Sequence, residues 1–155
     1  MEILVAYMTG AVATRRIAEH LAGTLRARGF TADVRPMNGL SGGGRYEGFV
    51  IGLAAMTEVN RADVGAFMLR HRIDMAANPV WMFTTDPLTA SREFAAFSKG
   101  LTPRSQQAFV VASHHGVSHD DDFRDWMKIE SWADGIGREL GPPRVARQLV
   151  AAGRL

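Results

Sequence analysis

The 155-residue chain contains no cysteine. That excludes thiol catalysis, iron–sulfur clusters and cysteine-ligated zinc, and it leaves the redox compartment open, because a chain without thiols suits either. Lysine is nearly missing too, since Lys99 and Lys128 are the only two among eighteen basic residues. The arginines are scattered rather than gathered into a stripe and the net charge is only +2, so a nucleic-acid partner is not expected. No apolar run approaches the ~20 residues of a membrane span. The segment Met1–Tyr7 lacks the basic region and small-residue cleavage site of a secretory leader, which makes the cytoplasm the expected location. Both common glycine fingerprints are missing as well, the Walker pattern with its lysine and the three-glycine dinucleotide pattern, and this disfavours ATP and NAD.

What the chain does have is the composition of an ordinary globular protein, 46% hydrophobic and 22% charged. Its length suits one domain, with a core at residues 1–140 and residues 141–155 as a tail or short terminal helix (Arg144 to Gly153). A chain of this size buries roughly 68–70% of its unfolded surface and needs no covalent staple.

Strand and helix signals alternate from the start. Ile3-Leu4-Val5-Ala6-Tyr7 is a continuous apolar run, the mark of a strand buried on both faces. From Thr14 to Arg28 the period changes, with Ile17, Leu21 and Leu25 on one stripe and Arg15, Arg16, Glu19, Arg26 and Arg28 opposite, until Gly29 stops the helix. Phe30–Arg35 alternates up to Pro36 and reads as a strand near a sheet edge. Phe49–Gly52 is a third strand, and Asn60 with Asp63 marks a helix N-terminus ahead of Val64, Phe67, Met68 and His71. Val80–Phe83 is a fourth strand, a helix is expected around Arg92–Lys99, and Ala108–Ala112 is a fifth strand. The last long helix runs from Asp125 to Leu140, with Trp126, Ile129, Ala133, Ile136 and Leu140 on one face.

Five apolar strands alternating with helices predict an open, doubly wound parallel α/β sheet with helices on both faces. Ligands of such sheets bind outside the carboxyl ends of the strands. The loops that matter are therefore Met8–Ala13, Leu53–Asn60 and Thr84–Ser91. The first, Thr9-Gly10-Ala11-Val12-Ala13-Thr14, offers small residues, two hydroxyls and a helix N-terminus to an anion. A plain strand-to-helix turn with two solvated arginines, Arg15 and Arg16, explains the same segment equally well.

Ile3–Tyr7, the hydroxyl-bearing loop and Thr14–Glu19 together resemble the opening of a flavodoxin-like domain. Tyr46–Gly52, Pro79–Phe83 and Pro87-Leu88 continue the resemblance, as do Asp122-Phe123-Arg124-Asp125-Trp126 and Trp132–Ile136. These last segments resemble the branch of menaquinone-dependent protoporphyrinogen dehydrogenases. The resemblance covers residues 1–140. Flavodoxins are themselves among the standard illustrations of the strand-end rule, so the two arguments are not independent.

The resemblance implies strand order 2-1-3-4-5 and FMN as cofactor. It puts the phosphate in the loop Thr9, Gly10, Ala11, Val12, Ala13 and Thr14. The ring would lie between Ala54, Ala55, Met56 and Thr57 on one side and Thr85, Asp86, Pro87 and Leu88 on the other. Three departures from the family pattern mark this as a degenerate flavin site. Ala13 replaces a hydroxyl, no aromatic stands in Ala54–Thr57, and Asp86 stands where glycine is common. The insertion those dehydrogenases carry before the final helix is missing here, so a short protein of unassigned redox role fits better.

The expected activity is that of an FMN-dependent oxidoreductase or electron-transfer protein using a quinone or organic acceptor. The expected partners are a redox protein or a small-molecule electron acceptor, with a homodimer as the assembly to test. The alternative is a flavin-free module that binds a partner or another small ligand. His114 and His115, in the loop after the fifth strand, are candidates for proton donation. The run His114–Asp122 matches no metal spacing and reads as a solvated loop with Asp120 or Asp122 capping the last helix, so no metal is expected. Trp81, Trp126 and Trp132 read as packing residues, and His20 and His71 as helical residues away from the site.

Overall fold

The structure is a computed structural model describing residues 2–10, 12–39, 46–55, 57–85, 101, 103–109 and 119–142, with 119–125 described in backbone only. Five parallel strands form one sheet in the order β2-β1-β3-β4-β5. They are β1 (Glu2–Tyr7), β2 (Thr31–Pro36), β3 (Gly48–Leu53), β4 (Val80–Thr84) and β5 (Gln106–Ala108). The helices are α1 (Val12–Ala27), α2 (Glu58–Arg70), α3 (Arg72–Ala77) and α4 (His119–Leu140).

The unbroken apolar run of β1 reflects burial on both sides. Ile3 and Val5 face the layer of α1 and α4, while Leu4 and Ala6 face the layer of α2 and α3. β3 and β4 divide the same way, Val50, Trp81 and Phe83 to one side and Phe49, Ile51 and Met82 to the other. The stripe Ile17, Leu21 and Leu25 of α1 is wholly excluded from water, each side chain contributing roughly 1.5–3 kcal/mol by burial. α4 meets it with Ile129, Ala133, Ile136 and Leu140.

β2 is at the edge, as its alternation and Pro36 predict. The Arg26 guanidinium donates two hydrogen bonds to the Ala32 carbonyl, at 2.9 and 2.6 Å, and so occupies an acceptor on that edge strand.

Several boundaries differ from the sequence expectation. α1 begins at Val12 rather than Thr14. α2 begins at Glu58, because the Thr57 hydroxyl accepts from the Asn60 backbone N–H at 3.3 Å; Thr57 is the cap, and Asn60 lies inside the first turn. Among the described residues the fifth strand is the polar Gln106–Ala108, which meets the expected Ala108–Ala112 only at Ala108; Phe109 lies past its end, and residues 110–112 lie outside the described residues. Its pairing with Met82–Thr84 is set by the sheet register, which overrides strand propensity. α4 starts at His119, six residues early, so Asp120 and Asp122 fall within the helix instead of capping it. Carboxylates there suit the helix dipole. The expected helix at Arg92–Lys99 and the terminal one at Arg144–Gly153 lie outside the described residues.

Candidate functional site

The carboxyl ends of β1, β3 and β4 bring two of the three expected loops together and part of the third. Met8 is buried and its N–H donates to the Gly52 carbonyl at 2.9 Å, tying the end of β1 to β3. The chain then turns at Gly10, whose φ of +95° is open to glycine but strained for any other residue. The turn sends Val12, Ala13 and Thr14 into the first turn of α1, with Val12 exposed. A Cβ at Gly10 would lie 3.8 Å from the Asn60 side-chain amide, so the turn after β1 runs close to the first turn of α2.

The Thr85 N–H donates to the Leu53 carbonyl at 3.1 Å, fixing the start of the loop after β4 against the end of β3. The Thr85 hydroxyl meets that of Thr14 at 3.3 Å across 71 residues of chain. Thr14 is completely buried and Thr85 partly so. Ala54 is buried, while Ala55 and Thr57 are exposed at the rim. Ala11, Met56, Asp86, Pro87, Leu88, His114 and His115 lie outside the described residues.

Electrostatically, the first turn of α1 carries no acidic side chain and is followed by Arg15 and Arg16. Its orphan N–H groups carry about half a positive charge. Such a helix end attracts anions, and the Thr14–Thr85 hydroxyl pair lies beside it. Sequence reasoning missed Asn60 as a neighbour of Gly10; Thr57 three residues before it was the available signal.

The remaining titratable and aromatic side chains of interest lie elsewhere. A cleft of about 730 Å³ between α1 and α4 is lined by His20, Trp126 and Glu130 rather than by the strand-end loops. There the His20 Nε2 is 2.8 Å from Glu130 and its ring 4.6 Å from that of Trp126. Trp81 donates to Glu139 at 3.2 Å and Trp132 to Ser105 at 2.9 Å, so both act in packing as expected. His71 sits between α2 and α3, buried, with its ring 4.7 Å from Phe67 and no hydrogen-bond partner for Nε2. Burial, with help from Arg70, holds its pKa below the usual histidine value. The Tyr46 hydroxyl donates to Asp33 at 2.8 Å; burial and then this bond push the phenol up to about 12. Among the described residues no group of three potential ligands is placed to hold a metal ion, and no helix is long and apolar enough to cross a membrane.

The architecture is that of a doubly wound open α/β domain. Its particular form is the flavodoxin-like fold. The flavodoxin-like domain of a Synechococcus sp. protein superposes with a TM-score of 0.60 at 12% identity, covering 89% of this chain and 97% of that one. Flavodoxin 2 from Bacillus cereus gives 0.56 at 17% identity, covering 86% and 95%. A mutant flavodoxin from Pseudomonas aeruginosa gives 0.58 at 12%, covering 86% and 97%. No protein-family model matches the chain and no curated protein matches it in sequence.

Proposed function

We propose that this chain is an FMN-binding redox protein that passes electrons to a quinone or organic acceptor. The observation that carries the reading is the flavodoxin-like strand order, with the turn at Gly10 sending the first turn of α1 to the carboxyl edge of the sheet. In this reading Thr9, Gly10 and the first turn of α1 hold the phosphate with neutral donors and the helix dipole. The ring lies between Ala54–Thr57 and Thr85–Leu88. FMN supplies the electron-accepting chemistry when bound, and the chain's part is to position the ring and set the charge around it. The resemblance of Asp122–Trp126 to the quinone-dependent branch supports the choice of acceptor, as does a net charge of +2 in place of a strongly acidic surface.

One feature favours the flavin-free alternative. Thr14 is wholly buried, and its hydroxyl is already engaged with Thr85. In that reading the pair is a latch between α1 and β4, and the degenerate loops serve a partner or another small ligand.

A spectrum of the purified protein, FMN release on denaturation and thermal shifts with added FMN separate the two readings. At one hundred times Kd, FMN stabilises by about 2.7 kcal/mol, which raises Tm by roughly 5–10 °C. A colourless protein whose Tm does not move with millimolar FMN rules out the first reading. Thr14→Val removes the hydroxyl at nearly constant shape. It should weaken FMN at least roughly tenfold, about 1.4 kcal/mol, if the phosphate sits there. Unchanged affinity would show that Thr14 serves only the latch.

A further inference from the structure

α3 is a helix of six residues with few fastenings of its own. Arg72, Ile73, Asp74, Ala76 and Ala77 are exposed, and only Met75 is buried. A helix this short does not persist in water unless it is docked, since isolated helices below about 12–15 residues are marginal. Met75 itself borders a cleft of about 300 Å³ shared with Pro79, Leu101 and Arg104, so its packing is incomplete on one side. Among the described residues no backbone hydrogen bond joins α2 directly to α3. The two helices meet through His71, whose N–H donates to the Phe67 carbonyl and whose carbonyl accepts from the Met75 N–H.

His71 is the second fastening. It is 6% exposed, with its ring 4.7 Å from that of Phe67 and 6.1 Å from that of Phe49. Its Nε2 is buried without a hydrogen-bond partner. A neutral imidazole carries one N–H and can leave Nε2 bare, whereas an imidazolium carries two and needs an acceptor for each. The neighbouring rings offer none. Two charged side chains act on His71, Arg70 at the end of α2 and Asp74 in the first turn of α3; burial and then Arg70 disfavour the proton, and together they outweigh Asp74. The carboxyl end of α2 and the amino end of α3 meet here, so their dipoles oppose each other.

We propose that α3 is an acid-opened flap: protonation of His71 undocks its ring and releases α3, with Met75, from the sheet while the rest of the fold stays closed. A charged ring with an unmatched N–H is costly among Phe67 and Phe49. Moving it into water requires only that Met75 let go as well. Segments with so few buried apolar contacts open without global unfolding. α3 leads into Val80 at the start of β4, at the opposite end of the sheet from the candidate ligand loops, so its opening leaves those loops in place. The inference rests on the fold alone and holds with or without FMN.

Native-state hydrogen exchange of the intact protein, at about pH 7.5 and about pH 5.5 and in zero and low urea, tests it. The α3 amides should exchange faster than those of β1 and should not be accelerated by low urea, the mark of a local opening. Their protection should fall several-fold at the lower pH, because the open ring takes up a proton that the closed ring resists. His71→Leu should abolish that fall. So should His71→Gln, which keeps a polar side chain but cannot take up the proton. Circular dichroism of both variants verifies folding. In the unaltered protein, the ring resonances of His71 should shift over the same pH range in which the α3 amides lose protection. Exchange of α3 in step with β1 overturns the local opening. A fall that persists in both variants, or a His71 ring that titrates while α3 stays protected, overturns the assignment of the switch to His71.

Discussion

The two helical layers on either side of the sheet are finished differently. α1 and the turn after it carry Arg15, Glu19 and Arg28 outward, the first two paired with each other at 3.0 Å and Arg28 with Asp134 of α4 at 2.6 Å. Its apolar stripe is spent entirely on the sheet and on α4. α2 and α3 cover the opposite face with Val64, Phe67 and Met75 and still carry a second apolar row outside. Among the described residues, the α1–α4 layer exposes Val12 and Met127 at separate places, while α2 and α3 expose Val59, Leu69 and Ile73. Burial toward the sheet stabilises the fold, while the outer row stays in contact with water.

Leu21→Ala tests that contrast most severely. It empties a site with no solvent exposure and should cost about 2–5 kcal/mol in urea unfolding. Leu69→Ser should change the monomer by no more than about 0.5 kcal/mol. A comparable loss at Leu69 would mean that the outer row supports the fold itself.

His71 gives a smaller effect, specific to the α2–α3 layer. Its pKa is lowered in the folded state by burial, so the unfolded chain binds the proton more readily. Stability is therefore full above pH 6.5 and falls as the pH drops from there through the lowered folded value. His71→Leu removes the unpartnered Nε2 and should add about 1 kcal/mol at pH 7 while flattening that acid-side fall. An unchanged pH profile would place the acid sensitivity on other groups.

Arg28→Ala should be the mildest change. Both partners of the Arg28–Asp134 pair are more than a third exposed, so the loss is within roughly 1 kcal/mol and shrinks further in high salt.

Much of this was readable from local pattern. β1 announced itself through five consecutive apolar residues, and α1 through Ile17, Leu21 and Leu25 at helical spacing, because both encode burial directly. The edge position of β2 was visible in its alternation and in Pro36. The start of β5 is not legible, since Gln106 and Gln107 have nothing strand-like about them and pair because Met82–Thr84 is there to receive them. Asn60 and Asp63 imitate a capping pair and set the expected start of α2 too late, whereas the Thr57 hydroxyl is the cap. At the candidate site, Thr9, Gly10 and Thr14 were legible as a small, hydroxyl-bearing turn. The full burial of Thr14 against Thr85 was not, because a contact across 71 residues leaves no periodic trace.

By itself the sequence determined the elements, the two-sided burial of the sheet and the exclusion of thiol chemistry, all properties of residue type and short-range spacing. Only the tertiary structure decided which loops meet at the strand ends, that the His71 Nε2 is buried without a hydrogen-bond partner, and that Val59, Leu69 and Ile73 of α2 and α3 face outward. These depend on where the sheet stacks each helix, and one helix can present an apolar stripe in two directions until packing selects the buried one.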